Sequence, residues 1–259
     1  MATLAPATAV PLRQLVYDAI VAALLQGRLE PGVRLSEAHI ARQMGISKAP
    51  VREAFRQLEE QRLLVSFPNR GTFVRAFQED DVHEVYSLRI ALEGLAIRLA
   101  ASRLTADDVR ALAELSREQD DASREGRRSD LTAEDLEFHR LIWRVASHTR
   151  LFDILQSIQL QTALAMTTFN RLAKDFSGAA HSHQAIIEAL QRGNGIAAEE
   201  AMRCHLQASC DELIRLLRET PPPGATLASA TDQTQDDDLA PSADAAVATH
   251  PKRERREGR

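Results

Sequence analysis

The chain has 259 residues, 44% of them hydrophobic and 27% charged, with a formal net charge of -5. That length houses two domains of ordinary size, each with its own core. No run of about 18 uncharged apolar residues occurs, and the opening MATLAPATAV has neither the basic segment nor the apolar run of a signal peptide, so a cytoplasmic protein with no membrane partner is expected. The two cysteines, Cys204 and Cys210, lie six apart in one helical pattern and are expected to be core thiols rather than a disulfide framework. The charge is uneven. Up to Arg75, ten Lys/Arg stand against six Asp/Glu, whereas between Ala76 and Glu219 seventeen stand against twenty-four. A basic head on an acidic body suits a polyanion-binding domain joined to a domain with another task.

Residues 1–10, rich in Ala, Thr and Pro, are expected to be disordered. Residues 12–26 read as a helix with Leu12, Leu15, Val16, Ala19, Ile20, Ala23 and Leu24 on one side and Gly27 at its end. After the turn Glu30-Pro31-Gly32 comes a short helical pattern with Ile40, Ala41 and Met44 apolar. Gly45 tolerates the positive φ that leaves a helix, and Ser47 is placed to cap the next one. That second helix, 48–61, buries Val51, Ala54, Phe55 and Leu58 and turns Ser47, Lys48, Pro50, Arg52 and Arg56 to solvent. Pro50 is harmless in the first turn, where its missing N–H has no intrahelical partner. Such a pair is the build of a helix-turn-helix, whose second helix enters the major groove with its N-terminal residues leading. Two apolar runs, 63–67 and 72–77, joined by Pro68-Asn69-Arg70-Gly71, predict a β-hairpin with a cationic tip, a wing that brings Arg70 and the Gly71 backbone to DNA.

From 79 to 219 every segment reads as helix: 79–102, 105–125, 130–147, 151–174, 177–192 and 196–218. Thr105 and Ser177 are expected caps. The predicted fold is therefore mostly α, a winged helix-turn-helix over 11–76 followed by an all-α six-helix antiparallel bundle over 79–219. The tail, 220–259, is Pro-, Ala- and Asp-rich with a basic end and is expected to be disordered.

Within the bundle Asp135 and His139, four apart, share one helical face near Phe138 and Trp143. His183 and His205 sit among apolar residues of two further helices. An Asp and three His converging in a bundle would bind a divalent ion, imidazole suiting zinc, nickel or iron and the carboxylate admitting manganese. Each residue alone reads equally as a hydrogen-bonded core histidine or an ion pair, and Arg89 as a partner of Glu93.

The run PGVRLSEAHIARQMGISKAPVREAFRQLEEQRLLVSFPNRGTFV resembles the winged helix of the GntR family of transcriptional regulators, in order and spacing. The resemblance implies that Ser47, Lys48 and Arg52 contact DNA from the recognition helix and Arg70 with Gly71 from the wing; Arg34, Pro50 and Arg56 complete the expected DNA-facing set. Lys48 stands where the family commonly has Arg, and a lysine cannot make the fork-shaped contact to guanine. Residues 79–219 resemble the FCD ligand-binding domain of the FadR subfamily, through VYSLRIALEGLAIRLAA, Asp-Leu-Glu-Phe-His-Arg-Leu-Ile, His-Gln-Ala-Ile-Ile-Glu-Ala-Leu and Ala-Met-Arg-Cys-His-Leu. That resemblance implies metal ligands at Asp135, His139, His183 and His205, zinc first among the candidates, with His181 a decoy, and a pocket-facing Arg89 that holds the carboxylate of a small organic acid. The expected whole is a homodimeric regulator, a repressor, that binds double-stranded DNA at a short inverted repeat and is not an enzyme. A regulator for which the ion itself is the signal, and a metal-dependent hydrolase, are the alternatives.

Overall fold

The computed structural model describes residues 10–173 and 183–219. The expected disorder of 1–9 and 220–259, the Ser177 cap and the decoy His181 lie outside the described residues.

Helix α1 (Leu12–Leu25) buries Val16, Ile20, Ala23 and Leu24. Leu12, Leu15 and Ala19, expected on that buried side, are exposed: they share one flank of the helix, which turns away from the core that Val16, Ile20, Ala23 and Leu24 enter. Strand β1 (Arg34–Leu35) was not foreseen, since two residues carry no periodicity. It leads into α2 (Glu37–Met44), whose N-cap Ser36 accepts a hydrogen bond from the His39 N–H at 3.3 Å. Gly45, at φ 66°, ends α2 in the left-handed region. Recognition helix α3 (Lys48–Glu60) buries Val51, Ala54, Phe55 and Leu58, the expected stripe. Ser47 occupies its N-cap position with extended backbone, but its hydroxyl makes no cap hydrogen bond, a correction to the expected role.

The wing is β2 (Leu64–Phe67) and β3 (Gly71–Val74), antiparallel, with Val65 opposite Phe73. Strand β1 pairs with the other edge of β3, giving the order β1-β3-β2. This third strand ties the wing to the chain just ahead of α2 and sets Arg34 beside the wing tip. The second wing strand ends at Val74, short of the expected Phe77, which instead enters the core.

Among the described residues, the second domain contains α4 (Glu79–Ala100), α5 (Ala106–Glu125), α6 (Arg128–Ala146), α7 (Thr149–Leu172), α8 (Gln184–Gln191) and α9 (Gly195–Glu219). Thr105 caps α5 in a capping box with Asp108, as its sequence predicts. His148 caps α7, its Nδ1 accepting from the Leu151 N–H at 3.2 Å. Helix α4 is central, packed on α6, α7 and α9, while α5 lies against α6 and α8. Arg103 joins the ends of α4 and α6, its Nη1 donating to the carbonyls of Leu99 at 3.3 Å and Ala146 at 2.6 Å. Cys210 is buried but Cys204 is exposed, correcting the expectation of two core thiols. Six residues advance a helix by about 600°, which turns the two onto different faces.

Candidate functional site

Four side chains from three helices meet in the interior of the second domain. Asp135 and His139 come from α6, His183 from the residue preceding α8, and His205 from mid-α9; all four are buried. One potential ligand atom from each lies within 4.8 Å of all the others. His139 Nε2 stands 3.3 Å from His205 Nε2 and 3.6 Å from Asp135 Oδ2, and His183 Nε2 is 3.4 Å from Asp135 Oδ1. Donors about 2.0–2.1 Å from one ion stand about 3 to 3.5 Å apart, so these spacings suit a shared cation.

The electrostatics agree with that fit. Burial pushes His183 down to about 4 and His205 well below the ordinary imidazole range, keeping both neutral as a metal ligand must be. Neither nitrogen of His183 has a hydrogen bond, nor has Nδ1 of His205, although all three are buried. Buried polar atoms without partners are uncommon, and one of them, His183 Nε2, faces Asp135 in the cluster. Phe138 holds the His183 ring in place by stacking on it, with centroids 3.9 Å apart and planes 7° apart.

A residue that the sequence reading treated only as a competitor organises one wall. Glu93, fully buried on α4, receives Arg89 Nε at 2.6 Å on one oxygen. Its other oxygen lies 2.5 Å from His139 Nδ1 and accepts from Trp143 Nε1 at 3.2 Å. Burial alone would raise the Glu93 carboxyl, but Arg89 and His139 outweigh it and hold it down to about 2. A carboxylate on Nδ1 fixes the histidine tautomer so that the Nε2 lone pair faces the cluster, the usual outer support of a metal-binding histidine. Gln119, 3.3 Å from Asp135 Oδ1, supports the other side. The signal for Glu93 was present as its four-residue spacing from Arg89, but nothing in that spacing pointed to His139 on another helix.

Arg89 is 3% exposed, and its guanidinium sits over the Tyr86 ring at 5.2 Å. Its pairing with Glu93 uses Nε alone. The structure thus brings Asp135, His139, His183 and His205 together and places Arg89 one carboxylate away.

The DNA-facing candidates gather on the other domain. Ser47, Lys48, Arg52 and Arg56 are exposed along one side of α3, with Pro50 half-buried between them. Arg52 forms an ion pair with Glu37 at 3.0 Å while 70% of its side chain stays exposed, and Arg56 pairs with Glu60 at 2.5 Å. Arg70 is exposed at the wing tip. Gly71, at φ 102°, has a backbone conformation that favours glycine, and a Cβ there would stand 3.0 Å from Nε of the exposed, flexible Arg34 side chain, which can give way.

A winged helix-turn-helix joined to a helical domain with a buried polar centre is the build of a DNA-binding transcriptional regulator. The chain matches "Bacterial regulatory proteins, gntR family" over residues 12–74 and "FCD domain" over residues 84–208. It is 39% identical over 197 residues to the "Probable D-xylose utilization operon transcriptional repressor" of Paenarthrobacter nicotinovorans, covering 74% of this chain and 84% of that protein. It is 28% identical over 210 residues to the transcriptional repressor RspR of Escherichia coli (strain K12), covering 81% and 91%. Among solved structures, a GntR regulator from Rhodococcus sp. RHA1 superposes with a TM-score of 0.68 at 25% identity, covering 78% of this chain and 97% of that one. Escherichia coli McbR/YncC shares the fold with a TM-score of 0.69 at 22% identity, covering 80% and 99%. The chain therefore belongs to the GntR family of transcriptional regulators and carries an FCD domain.

Both domains and the relatives are those of regulators, not enzymes, which removes the hydrolase alternative. Among the described residues no helix is long and apolar enough to cross a membrane.

Proposed function

We propose that this regulator is a cytoplasmic homodimeric repressor whose hold on a short inverted repeat is set by a small organic acid bound at a metal centre in the FCD domain. The domain limits proposed are 11–76 for the DNA-binding head and 79–219 for the effector domain. The observation that carries the reading is the convergence of four buried ligand atoms around one point, one of them, His183 Nε2, without a hydrogen-bond partner. Asp135, His139, His183 and His205 would hold a divalent cation, zinc by preference, with nickel, iron or manganese also suited to the donor set. When bound, the ion supplies a Lewis-acidic positive charge for an oxyanion. Arg89 then orients the acid: Glu93 occupies its Nε, which leaves the two Nη groups to meet a carboxylate.

In the head, Ser47, Lys48 and Arg52 read the major groove with Pro50 and Arg56 beside them, and Arg34, Arg70 and Gly71 follow the backbone at the wing. Two-fold symmetry of the dimer matches the symmetry of the repeat. Glu37 would release Arg52 to DNA, an exchange of one exposed ion pair for another. The names of the relatives, two of them repressors, support the direction of control.

The test is calorimetric titration of the metal-loaded protein with a panel of small carboxylates, followed by operator binding with the responsive acid. Arg89→Ala is expected to weaken that acid by about tenfold or more. An acid bound as tightly by Arg89→Ala as by wild type would remove the carboxylate role. Operator binding that follows metal concentration with no acid present would replace the organic effector with the ion itself.

A further inference from the structure

One strip of α4 stays outside the core. Along it run Glu84, Leu88, Ala91, Leu95 and Arg98, all exposed except the half-buried Leu95. Their spacings alternate between four and three residues, the seam of a helix that packs lengthwise on another helix. Helix α7 borders the strip on one side, where Leu88, Ile158 and Gln161 share a cavity wall, and α9 borders it on the other, where Glu199 lies against Gly94. Leu88 and, one turn before Ile158 on α7, Ile154 are each 49% exposed. Large apolar side chains gathered on one face, rather than scattered singly, mark a surface that meets a partner.

The charges of the strip identify that partner. Glu84 and Arg98 stand at its two ends, each seven residues from Ala91. A twofold axis through Ala91 runs two copies of α4 antiparallel and sets Glu84 of each against Arg98 of the other, about 10 Å from the axis on either side. Leu88 then meets the partner's Leu95, and the small Ala91 lies where the helices cross. Within one chain Glu84 already takes Arg62 at 3.0 Å, and Arg98 takes Glu199 at 3.2 Å. These side chains keep between 35% and 66% of their surface exposed, so neither pair has to break. Arg62, Glu84, the partner's Arg98 and the partner's Glu199 would form a row of alternating sign, repeated at both ends. A surface that complements itself under a twofold rotation suits a second copy of this chain.

We propose that α4 forms the dimer interface of this regulator, packing antiparallel on α4 of a second copy about a twofold axis at Ala91. The inference rests on the homodimeric reading above and gives it a surface. Arg89 and Glu93 lie about 160° around α4 from Ala91, at about 100° per residue. The same helix therefore faces the partner on one side and the buried Asp/His cluster on the other.

Sedimentation equilibrium of the full chain tests the interface by charge reversal. Wild type is expected to be a dimer. Glu84→Arg and Arg98→Glu each put like charges face to face at both ends and raise the dimer Kd by at least about tenfold, and the double variant recovers most of that loss. Ala91→Cys in a Cys204→Ser background is expected to give a disulfide-linked dimer under mild oxidant, since the axis brings the two thiols together. A wild type that sediments as a monomer overturns the homodimeric reading and this interface with it. A wild-type dimer that both single reversals leave intact, a double variant as weak as the single ones, or an Ala91→Cys variant that does not cross-link overturns the interface alone. Circular dichroism verifies the folding of each variant, and Arg98→Glu with Ala91→Cys carries the comparison if Glu84→Arg does not fold.

Discussion

Replacing His183 with leucine separates a metal ligand from a core histidine by the sign of a stability change. The side chain is fully buried, stacks on Phe138 and leaves two ring nitrogens without hydrogen bonds. In a protein without metal, those unmet nitrogens each cost about 1–3 kcal/mol, against about 0.5–1.5 kcal/mol gained from the stack. Leucine removes both effects, so the variant is expected to be at least as stable as metal-free wild type. With metal at about a hundred times its Kd, wild type gains about 2.7 kcal/mol, or about 5–11 °C in Tm for a chain of this size. Thermal unfolding followed by circular dichroism, in buffered zinc and in chelator, should show that rise in wild type only. The reasoning fails if chelator leaves wild type unmoved and the variant melts lower by the same amount in both buffers.

Glu93→Gln removes the charge that faces Arg89 and His139 and should lower metal affinity about 10–100-fold, measured by competition with a chromophoric chelator; equal affinity would show that Glu93 does not support the centre. In the head, Arg52→Ala should cost about 1–3 kcal/mol of operator binding and relax specificity, whereas Lys48→Ala should weaken all sequences alike and reduce the salt slope by about 1; salt-dependent gel shifts on operator and random DNA would expose the opposite pattern. Acid should destabilise the chelated protein. His183 is held down to about 4 against about 6.5 when unfolded, so the unfolded chain gains protons first as pH falls below about 6.5, and stability declines until the folded group titrates near 4. His183 alone accounts for about 3 kcal/mol of that decline, and His205 acts in the same direction. Urea unfolding that is flat between pH 7 and pH 5 would contradict it.

What could be read in advance depended on whether the information was local. The stripe of α3 and the Gly45 turn are set by residues within one or two turns, and periodicity placed them without error. Asp135 and His139 shared a face by spacing alone. Their meeting with His183 and His205, however, is a fact of packing between α6, α8 and α9, and only the family resemblance anticipated it. Glu93 was read as an alternative to the role of Arg89, because a four-residue spacing shows a pair but not the third member on another helix. Strand β1 was invisible for its shortness, and the exposure of Leu12, Leu15 and Ala19 depends on which flank of α1 the neighbouring core covers.

Helix α4 begins at Glu79, five residues after the last ladder residue of the wing, Val74. Its first turn is locked by a capping box between Gln78 and Asp81, and Asp81 also takes Arg75 at 2.5 Å. Ten and fourteen residues beyond Glu79 on the same rod stand Arg89 and Glu93. Contacts of Arg75 and Gln78 with Asp81 tie the short connection to α4, the helix that also carries the Arg89–Glu93 pair beside the buried Asp/His cluster. The first turns of α4 bury Val82, Val85 and Tyr86, so a residue added or removed there would turn that stripe by about 100° out of the core. For this chain the spacing in α4 is a calibrated quantity, and a substitution that preserves its length is far safer than a single-residue insertion.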